Sequence, residues 1–246
     1  MRRLHLEPDE FDQGEDGEVR LVGARARRLR EVLRIRSGAT LQVFDGSGRE
    51  REARVGAMTG SGVVLTLGAD VVAAPEPPVR IVLACAFPKA SRGDWLVEKA
   101  TEIGVAQLVP TETDRSVMRA GEGRYARWQR IAVEAAEQCG RALIPLVGGE
   151  VPDGALHIVG DPDTEVSIRS AVTSQASLPE AIVLHIGPEG GWTQSELDAF
   201  DAQGAVRCSM GPRLMRIETA AIVAAAQLLE LTGGLAPTGP SRSFLL

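Results

Sequence analysis

The apolar positions of this chain follow two rhythms. Up to residue 74 they come in brief runs, Leu4-His5-Leu6, Leu41-Gln-Val-Phe44, residues 52–58 and residues 63–67. Glycine-rich turns separate them, among these Asp45-Gly46-Ser47-Gly48 and Thr59-Gly60-Ser61-Gly62. Short strands joined by such turns predict a small β-barrel. One helix interrupts them over residues 24–35, with Leu29, Val32 and Leu33 on its inner face. The cluster Ala74-Pro75-Glu76-Pro77-Pro78 then predicts a boundary between a domain of residues 1–74 and one of residues 79–246.

Beyond that boundary, strand and helix alternate. Strands are expected over residues 79–86, 107–110 and 155–159, and helices over 95–103, 122–143 and 165–173. Asp94 is read as the cap of the first of these helices and Gly104 as its stop. In the long helix Trp128, Ile131 or Ala132, Ala135 and Cys139 point inward. Two further strands rhyme. Residues 181–186 run into Gly187-Pro188-Glu189-Gly190-Gly191, and residues 205–210 run into Gly211-Pro212-Arg213-Leu214-Met215-Arg216. Thr193 and Glu196 form a capping-box pattern after the first loop. After the second comes a helix apolar on nearly all sides, Ala220-Ala-Ile-Val-Ala-Ala-Ala-Gln-Leu-Leu, which must be buried in the core or against another subunit. The alternation argues for an α/β sheet with crossover helices. Ligands of such sheets bind beyond the carboxyl ends of the strands, so the two Gly-Pro loops are the candidate site.

Composition narrows the chemistry. Hydrophobic residues at 44% and charged residues at 24% are ordinary for a globular protein. No apolar run is long enough to span a bilayer, and the first residues lack the apolar core of a signal peptide. Cys85, Cys139 and Cys208 are scattered, as are His5, His157 and His185, so neither a disulfide framework nor a metal site is expected. A cytoplasmic, metal-free protein is the default. Neither a Walker A motif nor a G-x-G-x-x-G fingerprint is present.

The net charge of −6 gives no global attraction to nucleic acid, but its distribution is uneven. Between Arg20 and Arg36 seven arginines face one acid, Glu31, which reads either as a solvated helix face or as a phosphate-binding patch containing Arg28 and Arg34. Lys89, Arg92, Arg115 and Arg141 fall in expected loops or at helix ends, where a basic rim suits a phosphate-bearing substrate such as RNA. Arg213, Arg216 and Glu218 crowd the mouth of the apolar helix, as an ion pair shielding its end or as chemistry.

Read in order, several segments resemble one family. They are Val32-Leu33-Arg34 with Phe44-Asp45-Gly46, Pro88-Lys89 through Lys99-Ala-Thr-Glu102-Ile-Gly104, Arg115-Ser116-Val117, and Glu134-Ala-Ala-Glu137-Gln138-Cys-Gly-Arg141. Ile186-Gly-Pro-Glu-Gly-Gly191 and Gly211-Pro-Arg-Leu-Met-Arg216-Ile-Glu218-Thr219-Ala220 complete the series. The chain is similar over essentially its full length to the 16S ribosomal RNA uridine-N3 methyltransferases, RsmE, of the SPOUT superfamily. The resemblance implies an N-terminal PUA-like β-barrel that docks RNA and a C-terminal α/β domain with a deep trefoil knot. It implies a homodimer joined through the knot domain, acting on 16S rRNA of the 30S subunit.

By the same resemblance S-adenosylmethionine is held at Ile186, Gly187, Pro188, Gly191, Met210, Leu214, Arg216 and Ile217, with Thr219 and Ala220 nearby. Ile217 stands where the family usually has Thr. Glu218 is the expected base, or the group that orients one, and Arg216 the cation that meets negative charge on the uracil oxygen or on a phosphate. The expected RNA contacts are Arg28, Arg34, Lys89, Arg92, Arg115 and Arg141. Two other readings stay open: a SPOUT enzyme that methylates another RNA atom, such as a ribose 2′-oxygen, and an RNA-binding protein without activity.

Overall fold

The computed structural model describes residues 2–13, 16–116 and 121–237. Val117 and the last nine residues of the expected second domain lie outside them. The chain divides into two compact units, Met1–Ala74 with Ala136–Ile144, and Pro75–Ala135 with Pro145–Leu246.

The first unit is built on five strands, β1 (Arg3–His5), β2 (Glu18–Val22), β3 (Thr40–Phe44), β4 (Glu50–Thr59) and β5 (Gly62–Val71). Their order is β1-β3-β4-β5-β2, with β1 parallel to β3 and the other pairs antiparallel. All five strands contribute to one core, through Leu4, Val19, Leu41, Val55 and Leu65 among others, so the mixed sheet curls round it as a PUA-like barrel does. β2 escaped the sequence reading although Val19 and Leu21 alternate with Glu18, Arg20 and Val22 at the period of a half-buried strand.

Two short helices, α1 (Pro8–Phe11) and α2 (Gly23–Arg27), accompany the sheet. The helix expected over residues 24–35 stops being α-helical after Arg27 and continues as a π-helical turn over Arg28–Val32. The Leu33 amide donates to the Arg28 carbonyl, one residue beyond the α pattern. That extra residue rotates the following side chains, so Leu29 is fully buried while Val32, expected inside, is 70% exposed.

The second unit holds a six-stranded sheet, all parallel, of β6 (Arg80–Cys85), β7 (Gln107–Pro110), β8 (Leu146–Val147), β9 (Leu156–Gly160), β10 (Ala181–Ile186) and β11 (Val206–Cys208) in the order β11-β9-β10-β6-β7-β8. β6 and β10 lie at its centre and are buried on both faces, which is why they read as unbroken apolar runs. The helices are α3 (Ser91–Ile103), α4 (Glu122–Cys139), α5 (Ile168–Thr173), α6 (Gln194–Ala202) and α7 (Ile217–Leu231). α7 packs on β6 and β10 and touches both α3 and α5. Of the two burials open to this apolar helix, the core of its own unit accounts for Ala221, Ala224, Ala225, Leu228 and Leu229.

Three boundaries differ from expectation for identifiable reasons. α3 begins at Ser91, so Asp94 is not its cap but sits in its first turn and pairs with Arg127 of α4 at 2.7 Å. The Arg127 guanidinium holds the Asp94 carboxyl below the usual carboxylate range. α4 stops at Cys139, because Gly140 takes φ +89° and ends it. Its buried stripe follows Trp128, Ala132 and Ala136 in steps of four, which leaves Cys139 exposed rather than inward. α5 starts three residues late, at Ile168, where Ser167 accepts a capping hydrogen bond from the Ser170 amide.

Candidate functional site

Three parallel strands, not two, end at the same edge with glycine. β10 leads into Gly187-Pro188, β11 into Gly211-Pro212, and β9 into Gly160-Asp161-Pro162. Together these ends enclose a cavity of about 340 Å³. Gly160, Asp161, Pro162 and Asp163 were absent from the sequence reading, although strand, glycine and then proline repeats there a third time.

Packing at the strand ends explains the glycines. A Cβ on Gly187 would lie 2.9 Å from the Trp192 ring, and one on Gly160 would lie 2.9 Å from the Met210 methyl. Bare backbone therefore faces the cavity at both positions. The Trp192 indole N–H donates to the Gly160 carbonyl at 3.0 Å and ties the two loops together. Arg115 fixes the same loop from outside, donating from Nη1 to the Gly190 carbonyl at 2.7 Å. Thr193 and Glu196 close the expected capping box at the start of α6. Burial pushes the Glu196 carboxyl up, but hydrogen bonds from the Thr193 and Asp114 amides outweigh this and hold it below its ordinary range.

Of the residues expected around a cofactor, Ile186, Gly187, Pro188, Gly191, Met210, Leu214, Ile217 and Ala220 line this cavity. Arg216 and Thr219 are exposed and stand outside its lining, Arg216 as the N-cap of α7. Glu218 occupies the second position of α7, where the positive end of the helix favours a carboxylate, and it is 7% exposed. Its Oε1 lies 3.7 Å from Arg92 Nη1, and its buried Oε2 has no hydrogen-bond partner. Arg92 Nη1 also lies 3.7 Å from Glu189 Oε1. The structure thus brings Arg92, not Arg216, to Glu218.

The expected RNA contacts scatter more. Lys89 and Arg92 border a second cavity, and Arg115 borders the first. Arg34 is exposed, with φ +49°. Arg28 spends its charge on Glu137 at 2.6 Å. Arg141 belongs to the first unit and is buried, its carbonyl accepting from Arg3.

A model of the RNA methyltransferase domain matches residues 75–229. The chain is 32% identical over 240 residues to the ribosomal RNA small subunit methyltransferase E of Synechocystis sp., covering 93% of this chain and 77% of that one. It belongs to the small subunit methyltransferase E family. The Bacillus subtilis methyltransferase E is 26% identical, with coverage of 91% and 94%. The crystal structure of the Neisseria gonorrhoeae methyltransferase E, bound to S-adenosylmethionine, superposes with a TM-score of 0.82 at 28% identity, over 93% of this chain and 98% of that one. Within this methyltransferase E chain, Gly187→Ala is expected to displace Trp192 and break its bond to Gly160. A loss of about 1–3 kcal/mol follows from such overpacking. Thermal melts monitored by tryptophan fluorescence check it, and an unchanged melt would mean that the indole has room to move.

Proposed function

We propose that this chain uses S-adenosylmethionine to methylate N3 of a uridine in the 16S rRNA of the small ribosomal subunit. The observation that carries the reading is the glycine-walled cavity at three strand ends, in a chain of the methyltransferase E family. Its volume lies within the roughly 300–1,000 Å³ usual for small-molecule sites. Its residues fit the cofactor: backbone of Gly160 and Gly187 for hydrogen bonds, and the apolar walls of Ile186, Met210, Leu214 and Ile217 for its uncharged parts.

When bound, the cofactor supplies a sulfonium methyl, whose bond electrons stay on sulfur as the new N–C bond forms and the N3 proton is lost. The protein must hold the base in line and help remove that proton. Positioning of this kind is worth roughly 7–11 kcal/mol of barrier. Glu218 serves as the base or orients it, with its partnerless oxygen available for either task. Arg216, exposed at the helix start, suits a phosphate better than the reacting base.

Arg34, Lys89 and Arg115 are the further RNA contacts in this reading. The enzyme works in the cytoplasm as a homodimer joined through a knotted second unit. That pairing follows from the family resemblance. The test is methylation of 30S subunits from a strain lacking its own enzyme, with free rRNA alongside and nucleoside mass spectrometry as the readout. 3-Methyluridine is expected. A ribose 2′-O-methyl product would point to the neighbouring activity, and no product together with no cofactor binding to an inactive RNA-binding protein.

A further inference from the structure

Two cavities adjoin at the carboxyl edge of the sheet. The second measures about 200 Å³ and shares Pro188, Glu189 and Ile217 with the first. Its other walls are Ala86, Phe87 and Pro88 at the end of β6, with Lys89, Arg92 and Ser116 beside them. We propose that this second cavity receives the target pyrimidine ring, turned out of the RNA, and that Arg92 reads the ring's carbonyl edge. The inference rests on the reading of this chain as a uridine methyltransferase.

Position, size and chemistry argue for it independently. An acceptor must sit next to the transferred methyl, so its site has to adjoin the cofactor's, and this cavity does. Its volume falls below the roughly 300 Å³ at which pockets for larger ligands begin, which leaves room for one small ring. The walls at Ala86, Phe87 and Pro88 are apolar, and Phe87 is held against the Trp128 ring with centroids 4.4 Å apart. Planar bases taken out of a stack are received by such apolar and aromatic walls.

Arg92 supplies what the walls lack. Its Nη1 stands 3.7 Å from a carboxylate oxygen of Glu189 and of Glu218, beyond hydrogen-bond reach. The two carboxylates therefore fix the guanidinium electrostatically while leaving its N–H groups free to donate. Uracil presents two carbonyl oxygens flanking N3–H, and negative charge gathers on both as the proton leaves. A guanidinium N–H that donates to O4 meets part of that charge and leaves N3 itself open to the incoming methyl. Cytosine carries an amino donor in place of one oxygen, so the same cation disfavours it. Glu218, beside its part in the proton's removal, also holds Arg92 in place.

The experiment has two arms. 4-Thiouridine placed at the nucleotide that mass spectrometry maps as methylated is photo-crosslinked to the protein, and the crosslinked peptide is identified. It should contain Phe87 to Arg92; a crosslink confined to residues 160–163, or to the first unit, overturns the proposal. In parallel, R92A is expected to lower kcat about 100-fold and to move the alkaline rise of the pH–kcat profile upward. R92K should recover part of the loss, and calorimetry should show unchanged affinity for S-adenosylmethionine. Loss confined to RNA affinity with a shallower salt dependence would make Arg92 a phosphate contact and overturn its reading role. Weakened cofactor binding would assign the second cavity to the cofactor. Should the wild-type product be a methylated atom other than N3, the uridine-N3 reading fails, while the crosslink still decides where the target nucleotide sits.

Discussion

Replacing Glu218 by Gln is expected to lower turnover by roughly 10²–10⁴-fold and to leave the folded protein as stable as before, or more so. Both halves follow from the same geometry. The side chain is 7% exposed, one oxygen has no partner, and the nearest cation is 3.7 Å away. Burying a charge with so little local compensation is costly. The neutral amide of Gln keeps the shape and relieves part of that cost. What it gives up is the favourable placement at the helix N-terminus, worth about 0.3–1 kcal/mol. A group held at a loss of stability and needed for activity is the signature of function over packing. The measurement pairs single-turnover methylation with a thermal melt. Unchanged turnover would sink every chemical role for Glu218. To separate a base from an orienter of Arg92, the double variant R92A/E218Q is decisive. If Glu218 acts only through Arg92, removing both costs no more than removing Arg92 alone.

The site was legible wherever the chain repeats itself, and illegible wherever three-dimensional neighbours decide. Strand, glycine and proline announced two loops, and eight of the residues named from them and from the family resemblance line one cavity. The third repeat at Gly160 was overlooked because Asp161 stands between glycine and proline. No spacing rule could reveal that Glu218 faces Arg92, since the two are far apart in sequence and meet only because α3 and α7 pack together. Arg28 and Arg141 illustrate the opposite failure. Both read as free cations, yet Glu137 neutralises one and burial removes the other. Segment 136–144 groups with the first unit, which the helical period running through residues 122–139 gave no means of seeing. The π turn at Arg28–Val32 likewise shifted a face that simple 3.6-residue counting places correctly only up to Leu29.

Acidification from pH 7 to pH 4 should cost this protein about 3 kcal/mol through His185 alone. His185 lies on β10, one residue before the glycine-walled cavity begins, and is 7% exposed. Burial, with a smaller contribution from His157, pushes its imidazole down to about 4 from the ordinary 6.5. The sign is unambiguous. Between those two values the unfolded chain binds a proton that the folded chain refuses, so stability falls as pH falls from about 6.5 toward 4 and levels off below. Geometry explains the refusal. His185 Nε2 and His157 Nδ1 are 3.0 Å apart and share a single hydrogen, while His185 Nδ1 is buried without a partner. A charged His185 would carry hydrogens on both ring nitrogens with no buried acceptor at Nδ1. Urea unfolding at pH 7, 5.5 and 4 measures the effect, and His185→Gln, which cannot titrate, should flatten the slope over that range. Equal slopes in the two proteins would assign the acid sensitivity to other groups. Because Phe200 packs on His185 with centroids 4.7 Å apart and on Trp192 at 5.1 Å, any loosening of the histidine pair acts on the wall of the glycine-walled cavity, the proposed cofactor site. Cofactor affinity in the wild type should therefore weaken over the same pH window in which the fold loses stability.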